Sequence, residues 1–76
     1  MRKIEITREP VELYKILKFE GLVTTGGEAK LLIGDEQVTV NGEIETRRRK
    51  KIVDGDVIKF RGETLQMQLV RLNQKS

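Results

Sequence analysis

Residue types that proteins use for covalent and acid–base chemistry are largely missing from this chain. It has no cysteine and no histidine. Without cysteine there can be neither disulfides nor thiolate metal sites. Without histidine as well, the usual general base and the most reactive nucleophile are both absent. We therefore predict a protein that is not an enzyme and that binds no cofactor or metal.

Long apolar stretches are also missing. No run approaches the roughly 20 apolar residues that a membrane span requires, and residues 1–10 lack the apolar segment of a signal peptide. We therefore expect no membrane association and a cytoplasmic, monomeric protein. A chain of 76 residues should form one small domain, residues 1–76. Such a domain hides only about 60% of the surface of its unfolded form, so its core is thin.

Positive charge is concentrated in one short segment. The chain carries 15 Lys and Arg residues against 12 Asp and Glu residues, a net charge of +3. Five of these basic residues are consecutive, Arg47-Arg48-Arg49-Lys50-Lys51. Without them the chain would have ten basic and twelve acidic residues, a net charge of −2. Consecutive like charges repel one another, and such runs are commonly interaction surfaces. The segment is therefore predicted to attract an anionic partner.

Hydrophobic periodicity predicts an α+β fold, with two helices packed on one side of a small, mainly antiparallel sheet. The first helix is expected from Val11 to Gly21, with Pro10 in its first turn, where a missing N–H costs nothing. Gly21 should end this helix in a left-handed conformation. The other predicted elements are strand 2–7, helix 26–34 and strands 38–40, 43–45, 57–60 and 65–72. The last strand is expected to pair with the first.

Two local motifs predict where the central elements begin and turn. Thr25 and Glu28 fit a capping box, in which the threonine hydroxyl accepts from the N–H of Glu28 and the carboxylate accepts from the N–H of Thr25. Asn41-Gly42 tolerates positive φ at both central positions of a tight turn, which is the strongest short-range hairpin signal. We therefore predict a helix that begins after Thr25 and a hairpin that turns at Asn41.

Gly26 and Gly27 follow the predicted cap. In the structural interpretation, the two glycines only make the chain flexible where it enters a well-capped helix. The functional interpretation is that two glycines expose backbone N–H groups, so that a phosphate can come close. Two glycines in a first turn reduce helix stability by roughly 1 kcal/mol each relative to alanine, which favours the functional interpretation. The glycine and lysine spacing of a nucleotide-binding P-loop is absent.

Four blocks of the sequence together resemble the S-four RNA-binding domain, also called the alpha-L motif. The resemblance covers about residues 13–60. The blocks are Leu13-x-Lys15-Ile16-Leu17, Glu28-Ala29-Lys30-x-Leu32-Ile33, Val38-x-Val40-Asn41-Gly42 and Gly55-Asp56-Val57-Ile58. The spacing between the blocks also fits, so the chain is similar to the small stand-alone bacterial members of that family.

The resemblance implies binding of structured RNA, either ribosomal or transfer RNA, and association with the ribosome. By position it points to Thr25, Lys30 and Asn41. The chain departs from the family pattern at Gly26 and Glu12, where arginine is usual, and its positive charge has moved to the later loop. The complete set of residues predicted to bind RNA is Thr25, Gly26, Gly27, Lys30, Asn41, Arg47, Arg48, Arg49, Lys50 and Lys51.

Two other functions stay open at this point. A protein–protein adaptor could use the basic segment to engage an acidic partner. Partners of an adaptor would survive nuclease treatment before a pull-down, which separates this alternative from RNA binding. Binding of duplex DNA is less favoured, because no recognition helix with base-reading side chains is evident.

Overall fold

Seven strands and two helices make up the chain in the computed structural model, which describes residues 1–70. In chain order these are β1 (Arg2–Ile6), β2 (Val11–Glu12), α1 (Leu13–Phe19), α2 (Gly26–Gly34), β3 (Val38–Val40), β4 (Glu43–Ile44), β5 (Lys51–Ile52), β6 (Val57–Phe60) and β7 (Glu63–Leu69). The predicted α+β class is confirmed. Within the described residues, no helix has the length and apolar character to cross a membrane.

The main sheet has five strands in the order β1-β7-β6-β3-β4. Neighbouring strands are antiparallel except β1 and β7, which run parallel with Ile4 beside Met67. The prediction that the last strand pairs with the first is confirmed. β7 begins before the predicted strand does, at Glu63, and ends at Leu69. Residues 71 and 72 of the predicted strand lie outside the described residues.

The start of α1 differs from the prediction. Pro10 does not lie in the first turn of this helix, because α1 begins at Leu13. Val11 and Glu12 instead form β2, which pairs antiparallel with β5. The prediction was wrong because tertiary pairing overrides a local helix signal. These two short strands are additions to the predicted order of elements.

The helices and one face of the main sheet enclose the core. Alternate residues along the strands point toward the helices, and no buried residue among those described is polar or charged. The largest fully buried side chains are Leu13, Ile16, Leu17, Ile33, Ile52, Ile58, Leu65, Met67 and Val38. Because Ile52 belongs to this set, the segment that follows the five bases is anchored in the core.

Two tight turns take left-handed backbone conformations. At the β3–β4 turn, Asn41 and Gly42 have φ angles of 54° and 86°, which confirms the predicted hairpin. At the β6–β7 turn, Arg61 and Gly62 have φ angles of 51° and 83°. Arginine is uncommon at such angles, whereas glycine and asparagine are usual. Helix α1 ends as predicted, with Gly21 at a φ of 73°.

Leu17→Ala and Leu31→Ala form a matched pair of tests for this core. Leu17 is fully buried, whereas Leu31 is 74% exposed on α2. Truncating a buried leucine removes apolar burial and leaves a cavity, so Leu17→Ala should lower the free energy of unfolding by about 2–5 kcal/mol. Leu31→Ala should change it by less than about 0.5 kcal/mol. Urea unfolding followed by circular dichroism gives both values, and equal losses would contradict this core.

Candidate functional site

Thr25 caps the start of α2. Its backbone is extended, and its hydroxyl accepts from the N–H of Glu28 at 3.1 Å, which confirms one half of the predicted capping box. The other half is wrong. The carboxylate of Glu28 accepts from the N–H of Thr24 at 2.7 Å and from its hydroxyl at 3.0 Å, not from the N–H of Thr25. Thr24 is preferred because it offers two donors to the same carboxylate oxygen.

The carboxylate of Glu28 is held in its ionised form at the start of α2. The two hydrogen bonds from Thr24, and less strongly the guanidinium of Arg61, lower the pKa of Glu28. A negative charge in the first turn interacts favourably with the helix dipole. It also adds one negative charge to a region expected to attract anions, and the nearby Arg61 partly offsets that charge.

Neither Gly26 nor Gly27 is required by the fold of the chain itself. Both lie outside the left-handed φ region. A Cβ added at Gly26 would lie 3.7 Å from Cδ2 of Tyr14, and one at Gly27 would lie 3.8 Å from Oγ1 of Thr25, both ordinary contact distances. Among residues 1–70, no acceptor binds the backbone N–H of either glycine. What glycine provides is close access to these two N–H groups.

Lys30 extends this surface along α2. It follows Gly26 by four residues and Gly27 by three, which places it on their side of the helix. Its side chain is exposed, and it forms no salt bridge with any residue that the structure describes. An anion bound at the two glycine N–H groups would therefore lie close to an unpaired ammonium group.

The five bases form the basic loop, residues 47–51, which follows β4 and runs into β5. The carbonyl oxygen of Arg48 accepts from the N–H of Tyr14 at 3.0 Å, and that of Lys50 accepts from the N–H of Leu13 at 2.9 Å. These donors are the first N–H groups of α1, which have no acceptor inside the helix. The backbone of the basic loop therefore caps α1, while its charged side chains stay half-buried or exposed.

Arg47 differs from the other four bases. Its Nε and Nη2 atoms donate to the two carboxylate oxygens of Glu45 at 2.9 and 3.2 Å, and its backbone N–H donates to the same carboxylate at 3.0 Å. This two-pronged contact lowers the pKa of Glu45 and raises that of Arg47. The other bases of the loop form no salt bridge within the described part of the chain. Four of the five charges are therefore unpaired.

Tyr14 brings the basic loop and the start of α2 together. Its N–H donates to the carbonyl oxygen of Arg48, and its ring lies 3.7 Å from the position that a Cβ on Gly26 would take. A single tyrosine therefore lies beside both the basic loop and the start of α2. Of the predicted site residues, the contacts of Tyr14 bring Arg48 and Gly26 near one another. Thr25, Gly27 and Lys30 belong to the same helix start as Gly26, and Arg47, Arg49, Lys50 and Lys51 belong to the same loop as Arg48.

Asn41 uses its side chain within the protein. Its Nδ2 donates to Oδ1 of Asp56 at 3.0 Å, and its Oδ1 accepts from the N–H of Val57 at 2.9 Å. These bonds join the β3–β4 turn to the turn before β6. The turn predicted at Asn41 is confirmed by its backbone conformation, the side-chain bonds were not predicted, and its contact with RNA stays a prediction. Across residues 1–70, no cluster of acidic side chains is arranged to hold a metal ion.

Arg61, which no sequence pattern selects, also lies near the start of α2. It stands at the β6–β7 turn, with its guanidinium 5.2 Å from the centroid of the Phe60 ring. It is also near enough to Glu28 to contribute to the lowered pKa of that carboxyl. Arg61 therefore adds one positive charge near the start of α2. An isolated arginine before a glycine is not a binding signal in a sequence, so only the packing reveals this neighbour.

Comparison with known families and proteins finds a matching family model and similar bacterial proteins. The family model of the S4 domain matches residues 4–68. YbcJ of Escherichia coli (strain K12), provisionally named as an RNA-binding protein, is 46% identical over 57 residues, which make up 75% of this chain and 81% of YbcJ. RlbA of Bacillus subtilis (strain 168), provisionally named as a ribosome maturation protein, is 36% identical over 59 residues, which make up 78% of this chain and 83% of RlbA.

A solved structure also matches. The solution structure of YbcJ from E. coli is described as revealing an alpha-L motif involved in RNA binding. It superposes on this chain with a TM-score of 0.69 and 40% sequence identity. The match covers 90% of this chain and 87% of the other, so the likeness extends over most of both chains.

Glu28→Gln should lower the stability of the protein in a pH-dependent way. Because the pKa of Glu28 is lowered on folding, the unfolded chain takes up a proton at higher pH than the folded one does. The stabilisation is therefore complete above the ordinary pKa of 4.5 and is lost as the pH falls through the lower folded-state value. In thermal unfolding, the difference between variant and parent should be largest at neutral pH and shrink below that ordinary value.

Glu43→Gln is the control for this experiment. Glu43 is exposed, and its side chain forms no hydrogen bond among the described residues. Its substitution should leave the pH profile of the parent unchanged. A stability difference for Glu28→Gln that stayed constant down to acidic pH would contradict the role of the Thr24 hydrogen bonds.

Proposed function

The chain belongs to the S4 domain family, and on this basis we propose that it is an RNA-binding protein without catalytic activity. Its relative YbcJ is provisionally named as RNA-binding, and the YbcJ structure is described as an alpha-L motif involved in RNA binding. The matched segments make up 81% of YbcJ and 83% of RlbA, so the support comes from most of each relative.

The observation that carries the proposal is the position of Tyr14 between two anion-attracting features. On one side stand the unbonded N–H groups of Gly26 and Gly27 at a helix start. On the other stand the four unpaired bases of the basic loop. An extended surface of this kind suits a polyanion with several phosphates, because a single small anion would use only one of the two features.

The ligand that fits this surface best is a structured RNA, either ribosomal or transfer RNA. Backbone N–H groups, lysines and arginines recognise the positions of phosphates, and such contacts carry little base information. Folded RNA presents its phosphates in fixed positions, so this surface would read shape. Arginine also stacks on unpaired bases, which lysine does poorly.

The proposed setting is the ribosome. RlbA is provisionally named as a ribosome maturation protein, and it shares 36% identity with this chain. We propose that the protein acts in the cytoplasm as a monomer and associates with ribosomal particles through their RNA. Sedimentation of a cell extract before and after nuclease treatment tests this setting, since nuclease should release the protein from the particles.

Arg48→Ala combined with Arg49→Ala should weaken RNA binding without unfolding the protein. The two side chains form no salt bridge in the described part of the chain, and the bonds that cap α1 use only the backbone carbonyls of Arg48 and Lys50, which the substitutions leave in place. The parent should show a log–log dependence of affinity on salt that corresponds to about three to five neutralised phosphates. The double variant should lose about two from that slope. Filter binding of total cellular RNA at several salt concentrations measures both quantities.

Lys3→Ala combined with Lys59→Ala is the matched control. Both lysines are exposed and lie on the sheet face away from the helices, and the change removes the same charge. This variant should bind RNA nearly as tightly as the parent, with a slope lowered far less. Equal losses in the two double variants would assign binding to net charge. An unchanged Arg48 and Arg49 variant, with protein partners that survive nuclease, would favour the adaptor function instead.

Gly26→Ala combined with Gly27→Ala should separate stability from binding. Neither position needs glycine for its φ angle or its packing, so alanine should stabilise the protein, by up to about 1 kcal/mol per position. The added methyl groups would keep a phosphate away from the N–H groups, so affinity for RNA should fall. Thermal unfolding and filter binding measure the two effects. A variant that binds RNA as well as the parent would remove the start of α2 from the proposed surface.

A further inference from the structure

A groove lies between α1 and β1, the edge strand of the main sheet. It has a volume of about 750 Å³ and opens to solvent. Phe19, the last residue of α1, lines this groove and is 71% exposed. The isoleucines of the groove wall, Ile4, Ile6 and Ile16, are buried in the core. The groove therefore has an apolar floor that is already packed and one large aromatic ring that is not.

The groove also carries a positive excess. Three carboxylates line it, and two of them form salt bridges. Glu12 pairs with Lys15 at 3.6 Å, and Glu20 pairs with Arg2 at 3.5 Å. Three bases that line it, Arg8, Lys18 and Lys51, form no salt bridge with any described residue. Because Lys51 is the last residue of the basic loop, the groove continues directly from the proposed RNA surface.

We propose that this groove takes a single-stranded segment of the bound RNA, with an unpaired base stacked on the ring of Phe19. The inference rests on the proposed function, because the segment is taken to leave the structured RNA at the basic loop. Unpaired nucleotide bases stack on exposed aromatic side chains, and neighbouring lysine and arginine side chains neutralise the phosphates of the same strand. Lys18 and Lys51, which line the same groove as Phe19, carry the positive charge for this contact.

A strand of a partner protein would fit this groove less well. Such a strand could pair with the free edge of β1, but it would need a row of exposed apolar side chains to pack against. The groove offers one exposed large hydrophobic residue, Phe19, among those that the structure describes. One exposed ring within a positively charged lining matches a base and its phosphates.

Phe19→Trp turns the ring into a fluorescent reporter, because the chain has no other tryptophan. The probes are a blunt RNA hairpin and the same hairpin with a short single-stranded oligoadenosine extension. Stacking of a base should quench the reporter with the extended hairpin and leave it unchanged with the blunt one. Ile44→Trp is the control, since Ile44 is 57% exposed on the sheet face away from the helices. Its fluorescence should respond to neither hairpin.

Phe19→Ala provides the matching affinity measurement. It should weaken binding of the extended hairpin about tenfold, the size typical of losing one stacked base, and leave the affinity for the blunt hairpin unchanged. Binding of both hairpins with no quenching and no effect of Phe19→Ala would overturn the groove assignment and leave the proposed function standing. Failure of the parent to bind either hairpin or total RNA would overturn both. A nuclease-resistant protein partner lost in Phe19→Ala would assign the groove to a protein strand and overturn the inference.

Discussion

Two backbone hydrogen bonds hold the charged surface in place, from the N–H groups of Leu13 and Tyr14 to the carbonyl oxygens of Lys50 and Arg48. Five consecutive bases repel one another, so such a segment tends to extend when nothing holds it. The two bonds use N–H groups that α1 cannot satisfy internally. The buried Ile52 fixes the chain immediately after the loop. Repulsion between the side chains is thus opposed through the backbone, which leaves the charges themselves unpaired.

Carboxylates determine how much of that charge a ligand meets. The side chain of Glu45 is only 12% exposed and holds Arg47 by both of its oxygens, so one charge of the loop is already neutralised. Glu28 lies at the start of α2, where it stabilises the helix and is offset by Arg61. The basic loop therefore presents four unpaired charges where the sequence has five, and Arg61 adds a positive charge near the start of α2.

The sequence predicted those parts of the fold and site that depend on neighbouring residues. The helix start at Thr25 and the turn at Asn41 follow from capping and from positive φ, and both are confirmed. The strand pairing that displaces Pro10 from the helix joins segments far apart in the chain, which no local pattern reports. Adjacent threonines compete for one carboxylate, so side-chain geometry decides the cap. The approach of Arg61 to α2 likewise depends on the packing of the whole sheet.

An NMR titration of isotope-labelled protein with transfer RNA or a ribosomal RNA fragment tests the central claim most directly. The expected result is that the backbone amide signals of Gly26, Gly27 and the basic loop shift together, with one common affinity. The signals of Thr39 and Lys59, on the sheet face away from the helices, should stay unchanged. Shifts confined to that face, or separate affinities for the two glycines and the loop, would contradict a single RNA surface organised around Tyr14.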